Sequence, residues 1–356
     1  MDSKRRILIA LFLLCTAFAK AQVVSHADTL GYALFIKGDY NGALKYYDES
    51  LTADPSDKTA AYFAYLSAKY INHDLQSSYY ASKLDTSQQH YEHIDPFGLL
   101  NVGLEGSVKI PQNVYRGAAF YTRASIANRL GWRLQLEQSI SFFGQSIDKR
   151  PNDVSYKSAW NQDNQLEYYG KLSFAISNNL SLLGAYHYLN TNYQTLIYNS
   201  NIVVGGLKYN GNYFDLQGDV AFGGIIDHNV SQINGTLSLY PLGNLNLYTI
   251  SRLSSLNQNS ASQTIFSQTV GFKAVKNIWL ETSATFGNLD NYIDADGLYI
   301  YNAVDASKLR LGETLFFVVG KHAQLQLNYT FERKQDDLHT ISYQQHAIAA
   351  GLLWKF

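Results

Sequence analysis

The sequence predicts a transmembrane antiparallel β-barrel of about 14 strands, with 12 or 16 as alternatives, preceded by a small all-α segment. Three observations carry this. A long series of segments alternates apolar with polar residues. The composition is rich in aromatics, with 28 Tyr, 18 Phe and 4 Trp in 356 residues, and only 16% charged. The last segment, HAIAAGLLWKF, ends on a bare aromatic, Phe356.

At the amino end, Lys4, Arg5 and Arg6 precede the apolar run ILIALFLLCTAFA and an Ala19-Lys20-Ala21 small-x-small site. This is the pattern of a secretory signal peptide over residues 1–21, because its apolar stretch is well short of the roughly 20 residues that span a bilayer as a helix. Cys15, the single cysteine, lies inside it. The mature chain therefore offers no disulfide, thiolate metal ligand or cysteine nucleophile. Loss of Lys4, Arg5, Arg6 and Lys20 from 28 basic residues, and of Asp2 from 29 acidic ones, leaves a net charge of about −4. That balance gives no reason to expect a nucleic-acid partner.

Residues 22–95 carry helical periodicity. The stretch from residue 24 to about 57 fits the 34-residue tetratricopeptide (TPR) pattern: Leu30 and Gly31 as the small packing pair, Gly38 and Tyr40 at the inter-helix turn, Ala43 and Tyr47 on the second helix, and Pro55 at its end. The next stretch, KTAAYFAYLSAKYINHDLQSSYYASKLDTSQQHY, reads as a degenerate second repeat or capping pair. Stacked helical repeats usually need about three units to bury a continuous core, so this segment is expected to lean on the rest of the chain or on a partner.

From residue 96 to 356 the period changes to 2. Leu100, Val102, Leu104 and Val108 oppose Asn101, Gly103, Glu105 and Lys109; Trp132, Leu134, Leu136, Ile140 and Phe142 oppose Arg133, Gln135, Glu137, Ser139 and Ser141. The same alternation recurs around Leu166–Ile176, Phe214–Phe222, Ile278–Phe286 and Ala323–Phe331. Segments of about ten residues or more with dyad alternation are the signature of barrel strands facing lipid on one side. Short turns (NRLG, SNNL, YNGN, PLGN, AVKN, GKH) are interleaved with longer polar links, notably residues 147–162 and 289–308, which are expected as external loops. That puts the short turns, the helical segment and the carboxyl terminus on the periplasmic side.

The combination of signal peptide, TPR-like helices and barrel resembles the YaiO-type outer-membrane proteins and, more distantly, the TPR-barrel exopolysaccharide exporters. In Leu352, Trp354 and Phe356 the last strand also resembles the carboxyl-terminal signal read by barrel-assembly machineries. The resemblance implies residence in the outer membrane of a Gram-negative bacterium, contact with its lipid, and a periplasmic protein partner for the helices. It implies either a pore or export component for polar solutes or polysaccharide, or a non-conducting structural or assembly component.

Strand parity nominates a lumen-facing set: Glu105, Arg123, Arg133, Glu137, Glu167, Lys171, Asp215, Asp219, Glu281 and Glu332, with Lys109, Tyr121 and Tyr169 beside them. Either these form a network of ion pairs filling the barrel, or they line a conduit with charge rings, in which case the acidic excess favours cations. Catalysis is not expected. The groupings Asp227-His228 with Ser231, and His339 with Ser342, lack a nucleophile motif. No cofactor and no metal is expected, since Asp290, Asp294 and Asp296 lack calcium-loop spacing and read as a solvated acidic loop.

Overall fold

The computed structural model describes residues 27–147, 161–193 and 196–356. The expected signal peptide, and residues 148–160 of one expected external loop, lie outside the described residues.

Five helices come first: α1 (residues 27–37), α2 (Tyr40–Ala53), α3 (Lys58–Tyr70), α4 (Asp74–Ala81) and α5 (Thr86–Tyr91). The starts of α2, α3 and α5 are fixed by aspartates. Asp39 accepts from the Gly42 amide, Asp57 from those of Thr59 and Ala60, and Asp85 completes a capping box with Gln88, satisfying amides that the first turn leaves free. Between α1, α2, α3 and α4 the small residues Ala43, Ala60, Ala64 and Ala68 let Tyr47, Tyr65 and Tyr80 pack fully inside. Gly31 belongs to this close approach: a Cβ there would stand 3.0 Å from the Tyr47 ring. Gly38 and Tyr40 lie at the α1–α2 turn, where Tyr40 packs on Phe35 and Tyr70; Leu30 is half-buried; and Pro55 follows the end of α2.

The strands that follow are β1 (Phe97–Pro111), β2 (Arg116–Leu130), β3 (Leu134–Ile147), β4 (Asn161–Ala175), β5 (Leu180–Tyr193), β6 (Leu196–Asn210), β7 (Phe214–Ile225), β8 (His228–Leu239), β9 (Leu247–Gln258), β10 (Ala261–Val275), β11 (Ile278–Phe286), β12 (Tyr292–Asp294), β13 (Tyr299–Tyr301), β14 (Ala306–Val319), β15 (Ala323–Asp336) and β16 (Ile341–Lys355). All but β12 and β13 join one closed antiparallel barrel of 14 strands in meander order, sealed by β16 on β1 from Asn101 opposite Lys355 to Pro111 opposite Gln345. Most of these strands have 12 to 15 residues; rising about 3.3 Å per residue and tilted about 40°, they span about 30 to 38 Å, enough to cross a bilayer's hydrocarbon core of about 30 Å. The outer face is apolar to match: Leu104, Ile140, Phe222, Ile233, Leu253 and Ile348 are each more than half exposed. This is the fold of an outer-membrane β-barrel.

Three expectations are corrected. First, the turns at the end away from the helices are mostly as short as the others, for example residues 226–227, 259–260 and 337–340. Second, the acidic segment 287–305 is no solvated external loop. It folds into the lumen as the β12–β13 hairpin, closed by a 3-10 turn at Ala295–Gly297, and buries Leu289, Tyr292 and Ile293 to 1% exposure. Third, Trp132 does not face lipid but packs against the apolar core of the helical segment.

The interior is not uniformly polar either. Inward residues of β5 to β10, including Leu189, Ile202, Ala221, Val230, Leu256 and Ile265, form an apolar wall on which the hairpin sits. An enclosed segment must bury apolar surface like any core, and here the barrel wall supplies the other half.

Candidate functional site: the plugged lumen

Inward-facing charges lie chiefly on the other side of the lumen. In the β1–β2 ladder Glu105 stands opposite Arg123, and their side chains meet at 2.6 Å. In the β3–β4 ladder Glu137 stands opposite Lys171, at 3.0 Å. Glu167 lies 3.5 Å from His187. Arg310 approaches Glu332 at 3.6 Å, with Lys334 at 3.8 Å from the same carboxylate. Asp219 takes Arg252 at 3.6 Å, and Glu281 accepts from the Tyr248 hydroxyl at 2.8 Å. Arg133 is elsewhere: it is exposed at the rim, over the ring of Tyr79.

The hairpin is tied to both sides of the lumen. Asp296 bonds Lys171 at 3.4 Å and Gln217 at 2.7 Å; Gln232 bonds both the amide and the carbonyl of Ile293; Tyr299 donates to Glu105, beneath the Arg123 guanidinium. His187 approaches the Gly297 carbonyl at 2.6 Å and donates to it through Nδ1. Only glycine fits there, because φ is +87° and a Cβ would stand 2.9 Å from Val204. At the far end Asp305 forms a two-bond pair with Arg116, each bond 2.8 Å, and Arg116 also reaches Asp336 at 3.2 Å. Parity alone could have nominated His187 and Arg310; the plug contacts of His187, Gln232 and Gly297 required knowing that the loop turns inward. Its apolar content, Leu289, Tyr292, Ile293, Leu298 and Ile300, was the available signal.

The helical segment covers the barrel end that carries the β4–β5, β6–β7 and β8–β9 turns. His73 bridges Gln76 Oε1 at 2.9 Å and Asp215 Oδ2 at 3.0 Å, facing an acceptor oxygen with each ring nitrogen, while Lys208 and the Tyr240 hydroxyl bond the same Asp215 carboxylate. Tyr213 donates to Asp39, Asn244 to the Gly38 carbonyl, and Arg129 to Ser78. Tyr80 donates to Asp48, and Asn178 of the β4–β5 turn donates to Tyr80. Burial raises the Asp48 carboxyl above its ordinary value, outweighing the hydrogen bonds from Tyr80, Asn178 and Asn179 and the nearby Lys83.

The other candidates are not assembled for chemistry. Ser342 bonds Gln335, whereas His339 bonds Asp336 and stacks on Tyr115; His228 pairs with Asn259. Asp290, Asp294 and Asp296 are dispersed to Gln258, Arg252 and Lys171.

No protein-family model matches the chain, and no curated protein matches it. Among solved structures it is similar to the Acinetobacter baumannii outer membrane protein Omp33, at 7% identity over 72% of this chain and 99% of that one, with a TM-score of 0.43. A deltaS2S3 mutant of the monoaromatic hydrocarbon channel TodX aligns at 11% identity over 73% and 90% of the two chains, TM-score 0.48. The Ralstonia pickettii toluene transporter TbuX aligns at 10% identity over 74% and 90%, TM-score 0.47.

Proposed function

We propose that the chain is an outer-membrane channel for small polar solutes, drawn in its closed state, with the 287–305 hairpin as plug and the helical segment capping the periplasmic mouth. The observation that carries this reading is the two-sided lumen. The hairpin rests its apolar side chains on a wall formed by β5 to β10, to which Gln217, Gln232 and His187 also bond it, and meets β1, β2, β4 and β14 only through polar and ring contacts: Tyr299 with Glu105 and Arg123, Asp296 with Lys171, and Tyr301 beneath Arg310. Such polar contacts can be exchanged for water at modest cost, so a path along the charged wall opens by displacing the hairpin while the barrel stays closed.

A second reading, an anchored and non-conducting component whose helices dock a periplasmic protein, is favoured by the exposed aromatic and aliphatic side chains Tyr32, Ile36, Tyr70 and Tyr91 on the helices. One experiment separates the two. The chain and a variant with residues 289–303 replaced by a short Gly-Ser link are reconstituted in planar bilayers. Under the channel reading the variant shows larger, longer-lived ohmic steps than the parent. Silence from both, with folding verified, overturns it in favour of the anchor.

A further inference from the structure

Seven strands round the ring from β7, which lies in the apolar wall under the plug, β16 turns small side chains to the lumen. Ala347 and Ala349 alternate with the outward Ile348 and Ala350; Lys109 and Thr330 flank Ala347 on the neighbouring strands, and Ser107 and Asn328 flank Ala349. Both alanines keep part of their surface uncovered although they lie inside a closed barrel. They therefore border open lumen rather than packed side chains.

Toward the mouth away from the helices this recess becomes cationic. Lys109 of β1 and Arg310 of β14 both point inward, Arg310 over the Tyr301 ring of the plug and with its side chain 31% exposed. Among the described residues neither the Lys109 ammonium nor the Arg310 guanidinium makes a hydrogen bond, and none of their nitrogens is enclosed, so both present surface to a solute. The carboxylates nearby are already engaged. Glu332, 6% exposed, accepts from Ser307 and Gln345 and has Arg310 at 3.6 Å and Lys334 at 3.8 Å; Glu167 lies 3.5 Å from His187; Asp305 and Asp336, nearer the mouth, are closed on Arg116. The charged groups acting on Lys109 are Glu332, Glu167, Lys334 and Arg310, so that with Lys109 itself three positive charges stand against two negative ones. The acidic excess of the lumen-facing set is thus neutralised in pairs, and in this half the charge left over is positive.

An unpaired cation walled by low-dielectric protein attracts a counter-ion more strongly than one in bulk water, and a guanidinium adds a fork of donors matched to the oxygens of a phosphate or carboxylate. We propose that the recess across β14, β15, β16 and β1 binds a small oxyanion, a phosphate or a carboxylate, held by Lys109 and Arg310 over the floor formed by Ala347 and Ala349. Its role rests on the channel reading, for which it names the solute class.

The test is thiol labelling of the folded full chain in detergent, with Ala347→Cys in a Cys15→Ser background. An anionic and a cationic methanethiosulfonate are compared, each rate divided by that reagent's rate with free 2-mercaptoethanol. The anionic reagent is expected to react at least about tenfold faster, the enrichment that a cleft of one sign gives. Inorganic phosphate or acetate is expected to slow it severalfold where chloride at equal ionic strength does not, the stronger of the two naming the preferred group. Lys109→Gln removes an ammonium that has no hydrogen bond or ion pair among the described residues, so the fold is kept, and is expected to reduce the preference for the anionic reagent severalfold. No labelling of folded protein, a cationic reagent that is equally fast or faster, protection by neither oxyanion, or an unchanged preference in Lys109→Gln overturns the site. Labelling needs no current, so anion preference in a protein silent in bilayers would sustain the site and refute only the channel. Steady conductance with cation preference at Ala347→Cys would refute only the site.

Discussion

Asp48 sits where the helical segment meets the barrel, accepting the Tyr80 hydroxyl. Because burial raises its carboxyl in the folded state above the ordinary 3.8, folding takes up protons there. Its contribution to stability is therefore most favourable below pH 3.8 and declines as pH rises through the raised value. Asp48→Asn keeps an acceptor for Tyr80 and removes the buried charge. At neutral pH its helical thermal midpoint is expected to equal or exceed that of the parent, and the slope of stability against pH just above 3.8 to flatten. A clearly lower midpoint at pH 7 would show that attraction to Lys83 outweighs desolvation. Nothing in the sequence marks Asp48, since its burial comes from a turn 130 residues away at Asn178. Glu137 and Lys171 are different. Alternation assigns both to the inner face of consecutive strands, so that a pairing is open to them from the sequence, and the register of the β3–β4 ladder then sets them opposite. Arg133 marks where that logic stops, because a residue one step beyond a strand end no longer obeys its parity.

The plug hairpin was hidden among segments read as solvent-facing, and the reason is physical. Its aspartates suggest water, but Asp294, Asp296 and Asp305 each meet a cation inside the barrel, so acidity reports charge pairing as readily as exposure. The clasp at its carboxyl end gives a direct test. Arg116 is 6% exposed and joins Asp305 of the plug to Asp336 of β15, with Tyr343 and Asn113 closing the cluster. Removing one partner of a buried charge network costs about 3–5 kcal/mol because the others are left uncompensated. Arg116→Ala is therefore expected to free the hairpin's carboxyl end while the 14-strand barrel survives. The check is protease cleavage within residues 287–305, rapid in the variant and slow in the parent, with the heat-modifiable gel shift of the barrel retained. Equal protection in both proteins would mean that the apolar seat on β5 to β10 holds the hairpin unaided.

Barrel closure depends on strand number as much as on alternation. Fourteen strands, an even number, bring both ends of the sheet to the side that carries the helices, and β16 completes the ring by pairing with both β1 and β15. The strand number was legible because each outward face repeats a lipid-facing pattern; the filling of the lumen was not, because apolar inward residues such as Ile202 beside outward Val203 break the alternation that would have revealed them. Phe356 lies just past β16, 65% exposed, and its amide donates to the Leu100 carbonyl at 3.0 Å. In the finished barrel its removal should cost only about 1 kcal/mol, the worth of one hydrogen bond. We propose that it matters more before the barrel closes, when β16 is an unpaired edge on which Leu352, Trp354 and Phe356 would be read by a barrel-assembly machinery. Deleting Phe356 should therefore leave refolding into detergent micelles nearly unchanged while lowering the folded yield in outer membranes of producing cells severalfold. Equal yields in cells would show that the terminal aromatic serves the lipid interface alone, and a parallel loss in micelles would assign its effect to stability rather than to assembly.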